Sequence, residues 1–378
     1  MTCWSSLRHW RYSSRYEQCI VLKAVAVCYF SAAVSSIKTT ENMLNFPEPP
    51  KSYSSVFLEE TDKPLPEKID PRTRYAFFST IAQGGKSLIK SCKDLHLSRF
   101  VCYKTLRPEF AADEIEQKRL IREARVTAML QHPNTVPTYE LGRDGRGNPY
   151  FTMKLVHGYT LREILNFRER YDLHQLVELV IQVGHALQYA HKHGVAHRDI
   201  KPENILAGPY GEVLLLDWGL AKVWHPDGSA SGSGSAVEPE RESESPAQIH
   251  RSVAPAIKGI TLTGHGKAQG TVHYMSPEQL KQDPLIDHRT DIFSLGAVLY
   301  EILCGEKPAV GKKLHEVVDS VLNQQPAQAA AVAKYKVPTL LNDIAARCLD
   351  RNPDSRFQSM EEVIMLLQQD WRSSLTGA

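Results

Sequence analysis

The stretch Val195-Ala-His-Arg-Asp-Ile-Lys-Pro-Glu-Asn-Ile-Leu206 gathers Asp199, Lys201 and Asn204, and Val213-Leu-Leu-Leu-Asp-Trp-Gly219 adds Asp217. A carboxylate can take a hydroxyl proton, and a lysine can offset phosphate charge. Carboxylate and amide oxygens suit a hard cation. Phosphoryl transfer needs all of these, because it holds two polyanions together, neutralises the moving group and accepts a proton. Read locally instead, Asp199 and Asn204 are residue types that cap loops. Further residues in register must decide between the two.

Three more motifs supply that register. Arg99-Phe-Val-Cys-Tyr-Lys104 ends a strand-like run on a lysine, and Arg119-Leu-Ile-Arg-Glu-Ala-Arg125 places Glu123 on a helical stretch. Gly270-Thr-Val-His-Tyr-Met-Ser-Pro-Glu278 and Asp291-Ile-Phe-Ser-Leu-Gly296 follow. With His197-Arg-Asp199, this set resembles the eukaryotic-like (Hanks-type) serine/threonine protein kinases, and most closely the bacterial type. The resemblance runs from Arg74 to near Trp371.

The resemblance implies the roles. Asp199 accepts or orients the proton of the substrate hydroxyl, Lys201 offsets charge on the γ-phosphate, and Asn204 and Asp217 hold Mg²⁺, with Mn²⁺ as an alternative. Asp217-Trp-Gly219 stands where the family usually has Asp-Phe-Gly, and a tryptophan in that apolar slot would want a partner for its N–H. Lys104 contacts the α- and β-phosphates of ATP and pairs with Glu123. Glu116 lies about two turns earlier on the same face and competes for that part; the Arg-Glu-Ala context and the distance to His132-Pro-Asn134 favour Glu123. Thr271 together with Lys201 marks serine/threonine specificity. Glu278 pairs with Arg356 of Asn352-Pro-Asp-Ser-Arg-Phe357 as a structural contact. Asp291 either caps the catalytic-loop backbone or is a helix N-cap.

The phosphate-covering loop departs from the family pattern. In Ile81-Ala-Gln-Gly-Gly-Lys-Ser-Leu-Ile89, Ala82 and Ser87 replace glycines, leaving Gly84 and Gly85 to bring backbone amides near phosphate. Ile81 and Ile89 flank the nucleotide, and Lys86 replaces an aromatic lid and adds charge nearby. Weaker ATP binding than usual follows. In Tyr150-Phe-Thr-Met-Lys-Leu-Val156, Met153 is the gatekeeper and the Leu155–Val156 backbone meets the adenine, although these hydrophobics equally suit ordinary core. The degraded loop also motivates an alternative, a pseudokinase scaffold that binds nucleotide or a partner protein without transferring phosphate. The intact set Lys104, Glu123, Asp199, Asn204 and Asp217 weighs against it. A membrane-tethered receptor kinase and a small-molecule kinase fit less well still.

These side chains need a scaffold that brings distant segments together. Strand-like runs at Tyr75–Ile81, Leu88–Lys93, Phe100–Lys104, Thr135–Leu141 and Pro149–Leu155, with a helical period over Asp113–Leu130, predict a sheet-rich small lobe at 74–156. Helices over Thr160–Arg168, Leu173–His193, Asp291–Cys304, Leu340–Leu349 and Met360–Trp371 predict a helical large lobe at 157–371. The expected fold class is α+β, two-lobed. Residues 43–73, rich in Pro and Ser, read as a linker, and about 226–259 as a disordered insertion in the activation segment. Residues 1–42 read as a leader, disordered or preceding a true start at Met43.

Composition bounds the rest. Across 378 residues, 42% are hydrophobic and 23% charged, as in an ordinary soluble protein. A net charge of +2 argues against a nucleic-acid partner. Seven cysteines without a CxxC pair suggest neither a disulfide framework nor a zinc site. The apolar run Ile20 to Val34 is broken by Lys23 and falls short of the roughly 20 residues of a membrane span, so a membrane role is not expected and the cytoplasm is. The expected partners are protein substrates with Ser or Thr, and the chain itself through autophosphorylation. Thr261 and Thr263, then Ser229 to Ser245, are the phosphosite candidates, with Arg198 the cation that a phosphate would meet.

Overall fold

A computed structural model describes residues 73–223 and 271–369, all within the unit Asn45–Ala378. The leader, the linker up to residue 72, the run 20–34, the insertion at about 226–259 and the candidate phosphosites lie outside the described residues.

Alternating patterns build the small lobe. Strands β1 (Tyr75–Gln83), β2 (Ser87–Asp94) and β3 (Arg99–Leu106) come first. Helix α1 (Glu114–Met129) follows, then β4 (Thr138–Arg143) and β5 (Pro149–Lys154). The sheet runs β1-β2-β3-β5-β4 with every pair antiparallel. Gly147, at φ 85°, closes the β4–β5 hairpin in a backbone region that residues with a Cβ rarely enter. One sheet face buries Tyr75, Cys92, Val101, Tyr103 and Tyr150. The other packs Leu106 and Phe151 against Leu120 and Ala124 of α1.

Asp113 starts α1 by accepting from the Ile115 and Glu116 amides, and Glu114 and Glu116 suit the positive helix end. Its buried face carries Glu116 and Glu123 beside Leu120, Ala124 and Val126. Two carboxylates on an apolar face are costly unless paired. Both are therefore candidates for contacts made by residues from other elements.

The large lobe opens with β6 (Tyr159–Thr160) and α2 (Leu161–Leu165). Helix α3 (Leu173–Lys192) follows, with an Asp172/Gln175 capping box at its start. Short strands β7 (Val195–Ala196), β8 (Ile205–Ala207), β9 (Val213–Leu215) and β10 (Lys222–Val223) frame the catalytic loop. After the second described stretch begins come α4 (Pro277–Leu280), α5 (Arg289–Cys304), α6 (Leu314–Asn323) and α7 (Ala329–Val332). Helices α8 (Thr339–Cys348) and α9 (Met360–Leu367) complete it. Nearly every residue of α5 is buried, and α3, α8 and α9 pack around it in one continuous core.

The differences from expectation are local. Helix α2 ends at Leu165 and a 3₁₀ turn at Arg168–Arg170 replaces its predicted tail. Strand β4 begins at Thr138, since Pro137 cannot donate to a ladder. Helix α9 ends at Leu367, and Trp371 lies outside the described residues. Helix α6 was not expected, although Leu314, Val317, Val318 and Val321 repeat at helical spacing. Among the described residues, Cys92, Cys102, Cys304 and Cys348 are buried free thiols.

Candidate active site

Strand β3 ends near Lys104, which is only 5% exposed. Its ammonium makes a short ion pair with Glu123 of α1 and lies 3.5 Å from Asp217 Oδ1. Glu116 instead faces Lys86 and Arg119, each at 2.6 Å, so the competition between the two glutamates resolves in favour of Glu123. Burial alone would lower the Lys104 pKa, but the nearby charges of Asp217 and Glu123 outweigh it and raise it. Burial pushes Glu123 up to about 7, with Lys104 acting against the shift and Asp217 adding to it. Asp217 is held low, chiefly by the Lys104 charge beside it.

The lower half of the site is a hydrogen-bonded unit. Lys201 Nζ donates to Asp199 Oδ1 and Oδ2 at 2.8 and 2.7 Å. Asn204 Nδ2 donates to the Asp199 backbone oxygen at 2.8 Å and to its Oδ2 at 2.9 Å. Burial raises the Asp199 pKa, Lys201 opposes the rise and Asp217 adds to it. One backbone bond and one side-chain bond tie this loop to the residue before Asp217: Leu216 N donates to Asn204 O at 2.8 Å, and the His197 ring Nε2 meets Leu216 O at 3.0 Å. Arg198 and Asp217 both adopt positive φ, 68° and 63°, although neither is glycine. Non-glycine residues pay for such backbone only where surrounding contacts fix it, as at functional loops.

Asp291 supplies one of those contacts. Its Oδ2 accepts from His197 N and its Oδ1 from Arg198 N, both at 2.8 Å. Helix α5 takes His288 as its N-cap position, so Asp291 clamps the loop and is not the cap. Burial alone would raise the Asp291 pKa, but the His191 hydrogen bond and neighbouring donors lower it. Gln279 Nε2 fixes the far side of the loop by donating to Arg198 O at 2.7 Å.

The donor set fits a divalent hard cation. The Asp217 side chain is 47% exposed while Lys104 beneath it is 7% exposed, so the carboxylate sits at the mouth of the cleft. Asn204 gives its amide nitrogen to Asp199, which leaves its carbonyl oxygen as the atom that could meet a cation. One carboxylate and one amide oxygen are a sparse set, and Mg²⁺ is commonly bound by few protein ligands together with substrate phosphates.

A family described as protein kinase domain matches residues 75–371. The chain belongs to that family. Bacterial serine/threonine-protein kinases are similar to this kinase domain throughout. A probable one from Streptomyces coelicolor is 32% identical over 293 residues, covering 77% of this chain and 39% of the relative. Serine/threonine-protein kinase PknD of Protochlamydia amoebophila is 32% identical over 303 residues, 77% of this chain and 29% of its own. PknL of Mycobacterium tuberculosis is 32% identical over 285 residues, 75% of this chain and 62% of its own. The chain thus spans less than two fifths of the length of the first two relatives. The two-lobed α+β fold and the bacterial serine/threonine class anticipated from the motifs both hold, and kinase domains of this family use ATP and a divalent metal.

Glu278 and Arg356 form the expected buried pair at 2.7 and 2.9 Å. Lys201 also reaches Thr271 Oγ1 at 3.4 Å. Ile89 pairs with Lys104 across the β2–β3 ladder, and Ile81 is 42% exposed at the end of β1. Met153 packs, partly buried, against the α1-facing core, and Leu155 and Val156 follow β5 in an irregular connector.

Gly84 and Gly85 span a turn closed by Gly84 N donating to Ser87 O at 2.9 Å, and neither adopts positive φ. Trp218 fills its apolar slot at 2% exposure, edge-on to His197 at 4.5 Å, but its indole N–H has no hydrogen-bond partner among the described residues. The motifs did not point to Arg122 and Lys222, whose charges bear on Arg198. Arg122 adjoins Glu123 in sequence, which was the available signal.

Proposed function

We propose that this domain transfers the γ-phosphate of ATP to serine or threonine hydroxyls of proteins. The observation that carries the proposal is the meeting of two lobes at Asp217, where Lys104 and Glu123 of the small lobe adjoin the Asp199–Lys201–Asn204 unit of the large one. A magnesium ion held at this site would offset the charge of the phosphates. Asn204 and Asp217 are the residues to hold it.

Lys104, kept protonated by its two carboxylate neighbours, is suited to the α- and β-phosphates. Asp199 is suited to orient the incoming hydroxyl and take its proton, with Lys201 held against it for the transferring group. Ile81, Ile89, Met153 and the Leu155–Val156 backbone are proposed to enclose the adenine, and Gly84 and Gly85 to cover the phosphates. The scaffold alternative is weaker, because non-catalytic relatives commonly lose at least one of Lys104, Glu123, Asp199, Asn204 and Asp217, and here all five are present and paired.

Regulation by phosphate is part of the proposal. Arg198 is partly buried, with a buried Nε that lacks a hydrogen-bond partner among the described residues, and the Arg122 and Lys222 charges act on the same neighbourhood. A phosphate on Thr261, Thr263 or a serine between Ser229 and Ser245 would be drawn there. Mass spectrometry after incubation with ATP tests this, and absence of phosphate between Ser229 and Thr271 counts against it.

The central test is labelled-ATP transfer to a generic basic protein substrate. Lys104→Met and Asp199→Asn are expected to lose at least roughly 10²-fold in turnover. Near-wild-type transfer by Asp199→Asn would remove its assigned role.

A further inference from the structure

The loop between β1 and β2 is fastened to the rest of the small lobe at its tip. Lys86 Nζ donates to Glu116 Oε1 at 2.6 Å, and the same ammonium lies 5.9 Å from the centre of the Phe110 ring. On the backbone, Arg107 N donates to Lys86 O at 2.9 Å and Arg107 Nη1 to Gly85 O at 3.1 Å. The Glu116 side chain is 8% exposed and Lys86 is 23% exposed, so their ion pair is screened less than a surface pair. Arg119 shares the oxygen but is 51% exposed, which leaves Lys86 as the better-buried counter-ion.

Glu116 and Glu123 lie on one face of α1, two turns apart. The first holds the loop and the second holds Lys104. A rigid helix with a contact at each place transmits a shift at one to the other. Lys86 faces a helix carboxylate here, so charge near the phosphates is not what this conformation gives it.

We infer that Lys86 is a positioning residue, whose ion pair with Glu116 locks the loop to helix α1 so that loop and helix present one preformed nucleotide site. The inference rests on the kinase reading of that loop. It also accounts for how a loop with Ala82 and Ser87 in place of glycines is held: a side-chain tether sets its height.

The two readings of Lys86 give opposite signs for one substitution. If the pair positions the loop, Glu116→Gln weakens ATP binding; if Glu116 merely withholds Lys86 from phosphate, the same change tightens it. Affinity for Mg·ATP, read by displacement of a fluorescent ATP analogue from the full chain, is expected to fall about threefold to tenfold in both Lys86→Met and Glu116→Gln. Lys86→Arg retains most of it, and the swap Lys86→Glu with Glu116→Lys recovers part. In steady-state transfer the KM for ATP rises while kcat stays within about twofold.

Hydrogen–deuterium exchange over residues 81–90 without nucleotide is expected to speed up in Lys86→Met and Glu116→Gln. Unchanged exchange in both variants, or tighter ATP binding by Glu116→Gln, overturns the tether. Wild-type protein that binds no Mg·ATP while those two variants still speed exchange would overturn the kinase reading and leave the tether standing.

Discussion

Arg198 is held in left-handed backbone by Asp291, whose carboxylate accepts the Arg198 amide at 2.8 Å from a position one turn into α5. The same carboxylate accepts the His197 amide, so one fully buried side chain sets the path of the chain into Asp199. Asp291→Ala leaves two buried amides without an acceptor, at about 1–3 kcal/mol for each before relaxation. Urea denaturation should show a loss of about 2–4 kcal/mol. Turnover should fall by at least roughly 10-fold, because small misplacements of a catalytic group are expensive. Asp291→Asn keeps one acceptor oxygen and should fall between the two. Wild-type stability in Asp291→Ala would mean that the loop holds its own shape.

Glu278 and Arg356 join helix α4 to the stretch before α9. Arg356 is fully buried and also donates to the backbone oxygens of Asp350, Arg289 and Arg351. Removing Glu278 strands a buried cation, which typically costs about 3–5 kcal/mol. Glu278→Ala should therefore lower the urea midpoint sharply. Arg356→Met should cost at least as much, since it strands a carboxylate and three carbonyls. A loss below about 1 kcal/mol in both would show that the pair contributes little to the fold.

The legibility of the molecule followed the range of the interactions. Lys104, Asp199, Asn204 and Asp217 could be named because each sits inside a short contiguous run that resembles a protein kinase motif. Glu116 against Glu123 was harder. Both occupy the buried face of α1, and only strand β3 and the β1–β2 loop, distant in sequence, decide which meets Lys104 and which meets Lys86. Asp291 posed the same difficulty, since a helix start looks alike whether its carboxylate caps the helix or a loop far away along the chain. Helix α6 was readable from its apolar spacing, whereas the end of α2 at Leu165 depends on packing that local periodicity does not contain.

Trp218 stands where a phenylalanine would leave no polar atom. Its Nε1 is buried without a partner among the described residues, a defect of about 1–3 kcal/mol. Trp218→Phe removes that defect but also removes ring volume, and the cavity term works in the opposite direction. The two should nearly cancel: thermal and urea unfolding are expected to place Trp218→Phe within about 1 kcal/mol of wild type, with phosphotransfer retained. A loss above about 3 kcal/mol would show that the indole ring packs well enough to outweigh its unpaired N–H.

The Lys104–Glu123 pair predicts a pH dependence of stability. Burial lifts the Glu123 carboxyl from an ordinary value of 4.5 to about 7, against the pull of Lys104 and with the help of Asp217. A folded value above the unfolded one means that folding favours the protonated form. The associated stability is complete below about 4.5 and is lost as pH rises through about 7. Glu123→Gln keeps the shape and cannot titrate, so comparing the two proteins isolates this group from every other carboxylate.

In nucleotide-free protein, wild type should lose ground to Glu123→Gln by on the order of 1–3 kcal/mol between pH 5 and 8. Urea denaturation across that range measures it. A wild-type advantage that instead grows with pH would mean that the Lys104 charge outweighs burial and that the pair is an ordinary stabilising ion pair throughout.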